Sequence, residues 1–246
     1  MSIKGIYFDF GYVIGCPTKA VDRKYLYLDW DGIDRILMDD DFSSALRKGV
    51  GRKELTNFFT EEIYEPYLDE ENSCLEDPQS YKTLVERLPQ ILSSPVTPQL
   101  VDMILAHLDI MKYFEICENV PELLTALKER GLRISIVSNM MLPGSLLVDK
   151  LQREGLIPLI NTVTVSSDVG YIKPHPRIFW ITLKEDGLEP SDVMFVGDTY
   201  HQDIVGAKGV GMKTAWLNIR NEPADWSRDN PPDHEIKDLN QVLDLL

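Results

Sequence analysis

Four residues in this 246-residue chain carry the groups needed to handle a phosphate, and each lies just beyond an apolar run. Asp9 follows residues 3–8, Ser138 follows residues 132–137, and Asp198 comes after residues 193–196 and Gly197. Lys173 sits in the stretch after residues 160–165. Two carboxylates, a hydroxyl and an amine form a recognisable set. Mg²⁺ favours one or two protein carboxylates together with substrate oxygens and water. A carboxylate nucleophile can accept a phosphoryl group as an aspartyl phosphate. An amine and a hydroxyl can neutralise and orient the remaining oxygens. Taken singly, each group has a plainer explanation: Asp9 as a turn residue, Asp198 as a helix cap.

The set matters only if the fold brings its members together. The apolar runs 3–8, 132–137, 160–165, 193–196 and 213–217 are rich in β-branched and aromatic residues and read as strands. Helical signals lie between them. Pro121-Glu122 opens a helix whose apolar face is Leu123, Leu124 and Leu127, and Gly131 ends it. Leu146, Leu147 and Leu151 mark another, ending near Gly155. Pro176 begins one carrying Phe179 and Leu183. A helix runs from near Asp203 to about Gly211, and a last one from about Leu239. Strands alternating with helices over short connections imply a parallel sheet covered on both faces. Ligands of such sheets bind beyond the carboxyl ends of the strands. That rule sends Asp9, Ser138, Lys173 and Asp198 to one edge.

From about residue 21 to residue 112 no strand pattern stands out, and helical spacing recurs. Leu55, Phe58, Phe59 and Ile63 share one face, as do Val101, Ile104, Leu105 and Leu108. The expected organisation is a three-layer, Rossmann-like α/β core made of residues 1–15 and 113–246. A helical module of about ninety residues, 16–112, is inserted after the first strand.

The motifs resemble those of the haloacid dehalogenase-like hydrolases. Tyr7-Phe8-Asp9-Phe10-Gly11-Tyr12-Val13 is similar to the first motif of that superfamily, and Val137-Ser138-Asn139 to the second. Ile172-Lys173-Pro174 is similar to the third, and residues 195–207, with Gly197-Asp198-Thr199 and Asp203, to the fourth. The inserted helical module resembles the cap that some of these enzymes place over the site. The resemblance implies roles. Asp9 is the expected nucleophile and a Mg²⁺ ligand. The Gly11 carbonyl, Asp198 and Asp203 are further ligands. Ser138 and Asn139 hold substrate phosphate, and Lys173 pairs with phosphate and Asp9.

One position departs from the pattern. Phosphatases of the superfamily carry a second Asp two residues after the nucleophile, as general acid and base. Here that residue is Gly11. A good leaving group, a substitute such as His201, Tyr12 or a cap side chain, or weak catalysis would each account for it. The leading expectation is hydrolysis of a small phosphomonoester through an aspartyl phosphate. The alternatives are dehalogenation of a 2-haloacid, which expels halide without an acid, and a non-catalytic ligand-binding protein.

Composition narrows the partners. With 25 Lys+Arg against 40 Asp+Glu the net charge is −15, which disfavours nucleic acid and anionic membranes. No segment reaches the ~18 apolar residues of a membrane helix. Cys16, Cys74 and Cys117 are far apart and form no CxxC pair, so they read as free thiols in a reducing, cytoplasmic setting. Asp39-Asp40-Asp41 reads as a solvated loop or a helix start. Residues 226–232 read as a surface loop.

Overall fold

The computed structural model describes residues 3–18, 30–65, 80–222 and 231–246. Six strands, β1 (Gly5–Phe8), β4 (Arg133–Ser138), β5 (Thr162–Val165), β6 (Val193–Gly197), β7 (Lys213–Leu217) and β8 (His234–Ile236), pair in the order β5-β4-β1-β6-β7-β8. Every pairing is parallel. Strands β1, β4, β6 and β7 are buried along nearly their whole length, which explains their continuous rather than alternating apolar character.

Alternate residues of each strand enter different cores. Ile6 and Phe8 of β1, Ile134 and Ile136 of β4, and Met194 and Val196 of β6 share one cluster with Leu123, Leu124 and Leu127 from helix Val120–Glu129 and Leu147 and Leu151 from helix Gly144–Arg153. Tyr7, Val137, Val193 and Phe195 point the other way. They pack with Ile178, Phe179 and Leu183 of helix Pro176–Asp186 and with Ala207. The result is a three-layer α/β sandwich, as the alternation of elements predicts.

The strand order reverses at β1. The chain builds outward through β4 and β5, then returns to the other side of β1 and builds outward again through β6, β7 and β8. Such a reversal leaves a crevice beyond the strand ends, and Asp9, Ser138 and Asp198 all sit there.

Between β2 (Gly15–Pro17) and β3 (Phe114–Ile116) the described elements are all helical. They are Trp30–Met38, Asp40–Ala45, Arg52–Asn57 running on as a π-helix over Phe58–Tyr64, Ser80–Arg87, a short 3₁₀ turn Leu88–Gln90, and Pro98–His107, then a 3₁₀ turn Ile110–Tyr113. Leu55, Phe58 and Phe59 are buried, as are Val101, Ile104, Leu105 and Leu108, so the sequence periodicity marks their inner faces. Asp39 caps a helix: its carboxylate accepts the N–H groups of Asp41 (3.1 Å) and Phe42 (3.0 Å), with Asp40 and Asp41 in the first turn. The acidic run is therefore a helix start, where charge complements the dipole.

Three features differ from the sequence expectation. β8 is too short and polar for an alternating pattern to reveal it, yet it extends the sheet beyond β7. The terminal segment Leu239–Leu245 is a 3₁₀ rather than an α-helix. Most consequentially, Cys16 and Cys117 are joined in a disulfide. β2 and β3 pair antiparallel, Cys16 opposite Glu115, and bring Cα atoms 101 residues apart in sequence to 5.1 Å. Spacing along the chain hid this, because short strands on either side of a long insertion make the contact. The case for a reducing compartment from unpaired thiols loses its basis for these two residues. Cys74 and residues 223–230 lie outside the described residues. Among the described residues, no helix is long and apolar enough to cross a membrane.

Closing a loop of this length stabilises a fold by about 3–5 kcal/mol through the unfolded chain. Urea denaturation should show a loss of that size for Cys16→Ser. Dithiothreitol should produce the same loss in wild type and none in the variant. A wild-type curve unmoved by reductant would contradict the cross-link.

Candidate active site

Asp9 continues the ladder one residue past β1, its N–H donating to the Val196 carbonyl at 3.0 Å. The chain then folds back at once. The Phe10 carbonyl accepts from Ile14 (2.9 Å) and Gly15 (2.8 Å), and the Tyr12 N–H donates to the Gly15 carbonyl at 2.7 Å. Tyr12 takes a left-handed conformation, φ 61°, which costs energy for a bulky residue and fixes where its ring points. The tight turn leaves the Asp9 carboxylate at the crevice.

Lys173 organises the carboxylates. Its side chain is 1% exposed, and its Nζ donates to Asp9 Oδ1 at 2.8 Å and to Asp203 Oδ1 at 2.7 Å. Burial alone would favour the neutral amine. The Asp203 and Asp9 carboxylates outweigh it and hold the ammonium protonated well above the usual lysine range. Asp203 is fully buried. Burial pushes its carboxyl up, the Lys173 charge pulls it down, and the neighbouring Asp9 and Asp198 push it up again, so it ends above the ordinary carboxylate range.

Local backbone holds Asp203 in place. It lies in the π-helical turn Tyr200–Val205 that follows β6, a wider turn than α and one often found at functional sites. Its Oδ2 accepts the Thr199 N–H at 2.9 Å, and its own N–H donates to the Thr199 carbonyl at 2.8 Å. Gly197 is required at the end of β6, because a Cβ there would collide with the Asp203 Cβ and carboxyl.

Asp198, 3% exposed, is fixed from three sides. Its carbonyl accepts the Trp216 indole N–H at 3.0 Å, and Thr199 Oγ1 donates to its Oδ1 at 3.3 Å. Arg220 donates to Oδ2 at 2.6 Å. Arg220 also donates through Nε to Glu222 at 2.8 Å, and its guanidinium lies 5.4 Å from the centroid of the Tyr12 ring. One oxygen from each of Asp9, Asp198 and Asp203 lies within 4.8 Å of the others.

Of the residues singled out from sequence, Asp9, Lys173, Asp198 and Asp203 are brought into one cluster. Asn139 reaches it indirectly. Its Oδ1 accepts the Lys173 N–H at 2.8 Å, while its Nδ2 donates to the Lys173 carbonyl at 3.1 Å and to Gln202 at 3.3 Å. That bidentate grip positions the lysine, whose bond to Pro174 is cis. Ser138 ends β4, buried, two residues past the partner of Phe8. Gly11 lies in the turn after Asp9, and a Cβ built on it meets no heavy atom within 4 Å. His201 is exposed. Sequence reading missed Arg220. The signal was available: it falls three residues beyond the end of β7, at the same sheet edge, and the strand-end rule extends to that strand.

The donor set suits a small hard cation. Opposite ligands of octahedral Mg²⁺ stand about 4.1 Å apart, close to the spread of the three carboxylate oxygens. Three carboxylates against Lys173 and Arg220 leave one net negative charge in a mostly buried place. Asp9, Asp198 and Asp203 are the residues that would hold the ion.

A sequence model of the family described as haloacid dehalogenase-like hydrolase matches residues 52–217. The chain belongs to this family. Asp9 precedes the matched stretch. The chain is 36% identical over 99 residues to a glyceraldehyde 3-phosphate phosphatase of Pyrococcus furiosus, covering 40% of this chain and 41% of that protein. It is 30% identical over 172 residues to haloacid dehalogenase-like hydrolase domain-containing protein 3 of Bos taurus, covering 69% and 61%. The matches thus span about half the length of these relatives. A solved 2-haloacid dehalogenase from Pseudomonas syringae pv. Tomato DC3000 superposes with TM-score 0.68 at 18% identity, covering 99% of this chain and 97% of that one. At that identity the likeness speaks to fold alone.

Removing the central cation should expose the cluster's repulsion. Lys173→Met leaves buried carboxylates uncompensated and should cost about 3–5 kcal/mol at pH 8 without Mg²⁺. Stability of the variant should rise as pH falls toward about 5, because the folded cluster then binds a proton that ordinary aspartates of the unfolded chain, with pKa near about 4, do not. Denaturation across pH checks this. A variant equally stable at both pH values would show that the three carboxylates do not repel.

Proposed function

We propose that this protein is a Mg²⁺-dependent phosphohydrolase that transfers a phosphoryl group from a small phosphorylated molecule to Asp9 and then to water. The observation carrying this reading is the Asp9–Lys173–Asp203 bridge beside Asp198: a carboxylate at a strand end, charge-balanced by a buried ammonium and flanked by two further carboxylates. The phosphatase name of the Pyrococcus furiosus relative agrees with it.

Each residue has a part. Asp9, held by Lys173, attacks phosphorus in line. Bound Mg²⁺ would offset the repulsion between that carboxylate and the phosphate oxygens. Ser138 donates to a phosphate oxygen from the end of β4, and Lys173 adds a fixed positive charge that needs no reorganisation during reaction. Asn139 keeps Lys173 aimed. Asp198 and Asp203 would hold the metal, with the Gly11 carbonyl as a further ligand. The helical segment between β2 and β3 would act as the cap that closes over the crevice and excludes water.

Dehalogenation is the second reading. Gly11 favours it, since halide leaves without a proton. The carboxylates at Asp198 and Asp203 favour phosphate, because attack on carbon requires no metal.

Phosphate release from a panel of phosphate esters should require Mg²⁺ and fall at least about 10³-fold in Asp9→Asn, as expected when a nucleophile is lost. Halide release from 2-haloacids without phosphate release would replace this reading with the second.

A further inference from the structure

Gly11 leaves the turn after the nucleophile without a proton donor, and the space beside it is open. Lys173 is already engaged, its Nζ donating to both Asp9 and Asp203. What the structure places beside this turn is a guanidinium. Arg220 lies over the Tyr12 ring, bonds Asp198, is steadied by Glu222 and remains 33% exposed. A guanidinium keeps its charge and gives up no proton near neutral pH. Such a site can neutralise a departing anion and cannot protonate a departing alkoxide.

We propose, building on the phosphoryl-transfer reading above, that the substrates are mixed or simple phosphoric anhydrides, whose leaving group is a stable oxyanion, and that Arg220 on its Tyr12 shelf binds that oxyanion. In the first step an Asp9 oxygen bonds to phosphorus. The P–O bond to the leaving carboxylate or phosphate breaks, and the electron pair departs on that oxygen. In the second step a water oxygen bonds to phosphorus and the Asp9–O–P bond breaks. Both water protons stay on the product as dihydrogen phosphate. Neither step takes a proton from the protein. Alkyl esters differ, because their alkoxide must be protonated, and a general acid contributes about 10²–10⁴-fold there. Both anhydride types share this chemistry, and assay separates them.

The test compares acetyl phosphate, pyrophosphate, 4-nitrophenyl phosphate and glycerol phosphate as donors, each with Mg²⁺, for wild type, Gly11→Asp, Arg220→Gln and Asp9→Asn. Wild type should cleave at least one anhydride about 100-fold more efficiently than glycerol phosphate. Gly11→Asp, which the open space admits, should narrow that gap by raising the alkyl ester at least about tenfold. Arg220→Gln should weaken the anhydrides about tenfold or more, beyond any loss on 4-nitrophenyl phosphate, the expected effect of removing one charged hydrogen bond. Methylenediphosphonate, which keeps a second anionic group and is not hydrolysed, should bind wild type about tenfold more tightly than Arg220→Gln, while inorganic phosphate binds both alike. Equal turnover of glycerol phosphate and the anhydrides in wild type would overturn the proposal. So would a uniform loss across all donors in Arg220→Gln, which would mark a residue that only supports Asp198. If no donor turns over with dependence on Asp9, the phosphoryl-transfer reading itself fails, whereas turnover of 4-nitrophenyl phosphate with a flat preference overturns this inference alone.

Discussion

One buried ammonium holds this site together. Lys173 sits between Asp9 and Asp203, and without it three carboxylates would crowd a place nearly closed to water. Charges this deep are stabilised only by close partners and by the hydrogen bonds that fix them. Much of the surrounding backbone serves that requirement. Asn139 clamps the lysine from both sides of its peptide unit. The π-turn after β6 turns Asp203 inward, and Gly197 gives the carboxyl room. The sheet's reversal at β1 is what lets β1, β4 and β6 present their ends to one crevice.

Function follows from what this arrangement leaves available. Asp9 is held by Lys173, and the carboxylates beyond it are spaced for a divalent cation. Gly11 takes away the usual proton donor, while Arg220 adds a fixed charge on the Tyr12 ring. On the proposed reading, such a site suits chemistry driven by charge placement over chemistry driven by proton transfer.

The sequence announced most of this, for physical reasons that can be named. Strands buried on both faces read as unbroken apolar runs, so five of the six sheet strands were visible, and the strand-end rule sent Asp9, Ser138 and Asp198 to one edge. Leu55, Phe58, Phe59 and the Val101–Leu108 set showed their helical faces. What stayed hidden depended on contacts between distant segments. β8 has three residues and no pattern. Cys16 meets Cys117 only because β2 and β3 close the ends of a long insertion. Arg220 has no motif of its own, and its value appears only when β7 is seen to deliver it to Asp198. The grip of Asn139 on Lys173 was equally invisible, since a Ser-Asn pair carries no sign of which backbone it will hold.

The most direct measurement is to look for the covalent adduct. Reaction with radiolabelled acetyl phosphate and Mg²⁺, quenched in acid and mapped by mass spectrometry, should place one hydroxylamine-sensitive phosphoryl group on Asp9, absent from Asp9→Asn. A label on any other residue, or turnover of the donor with Asp9 never modified, would contradict the account.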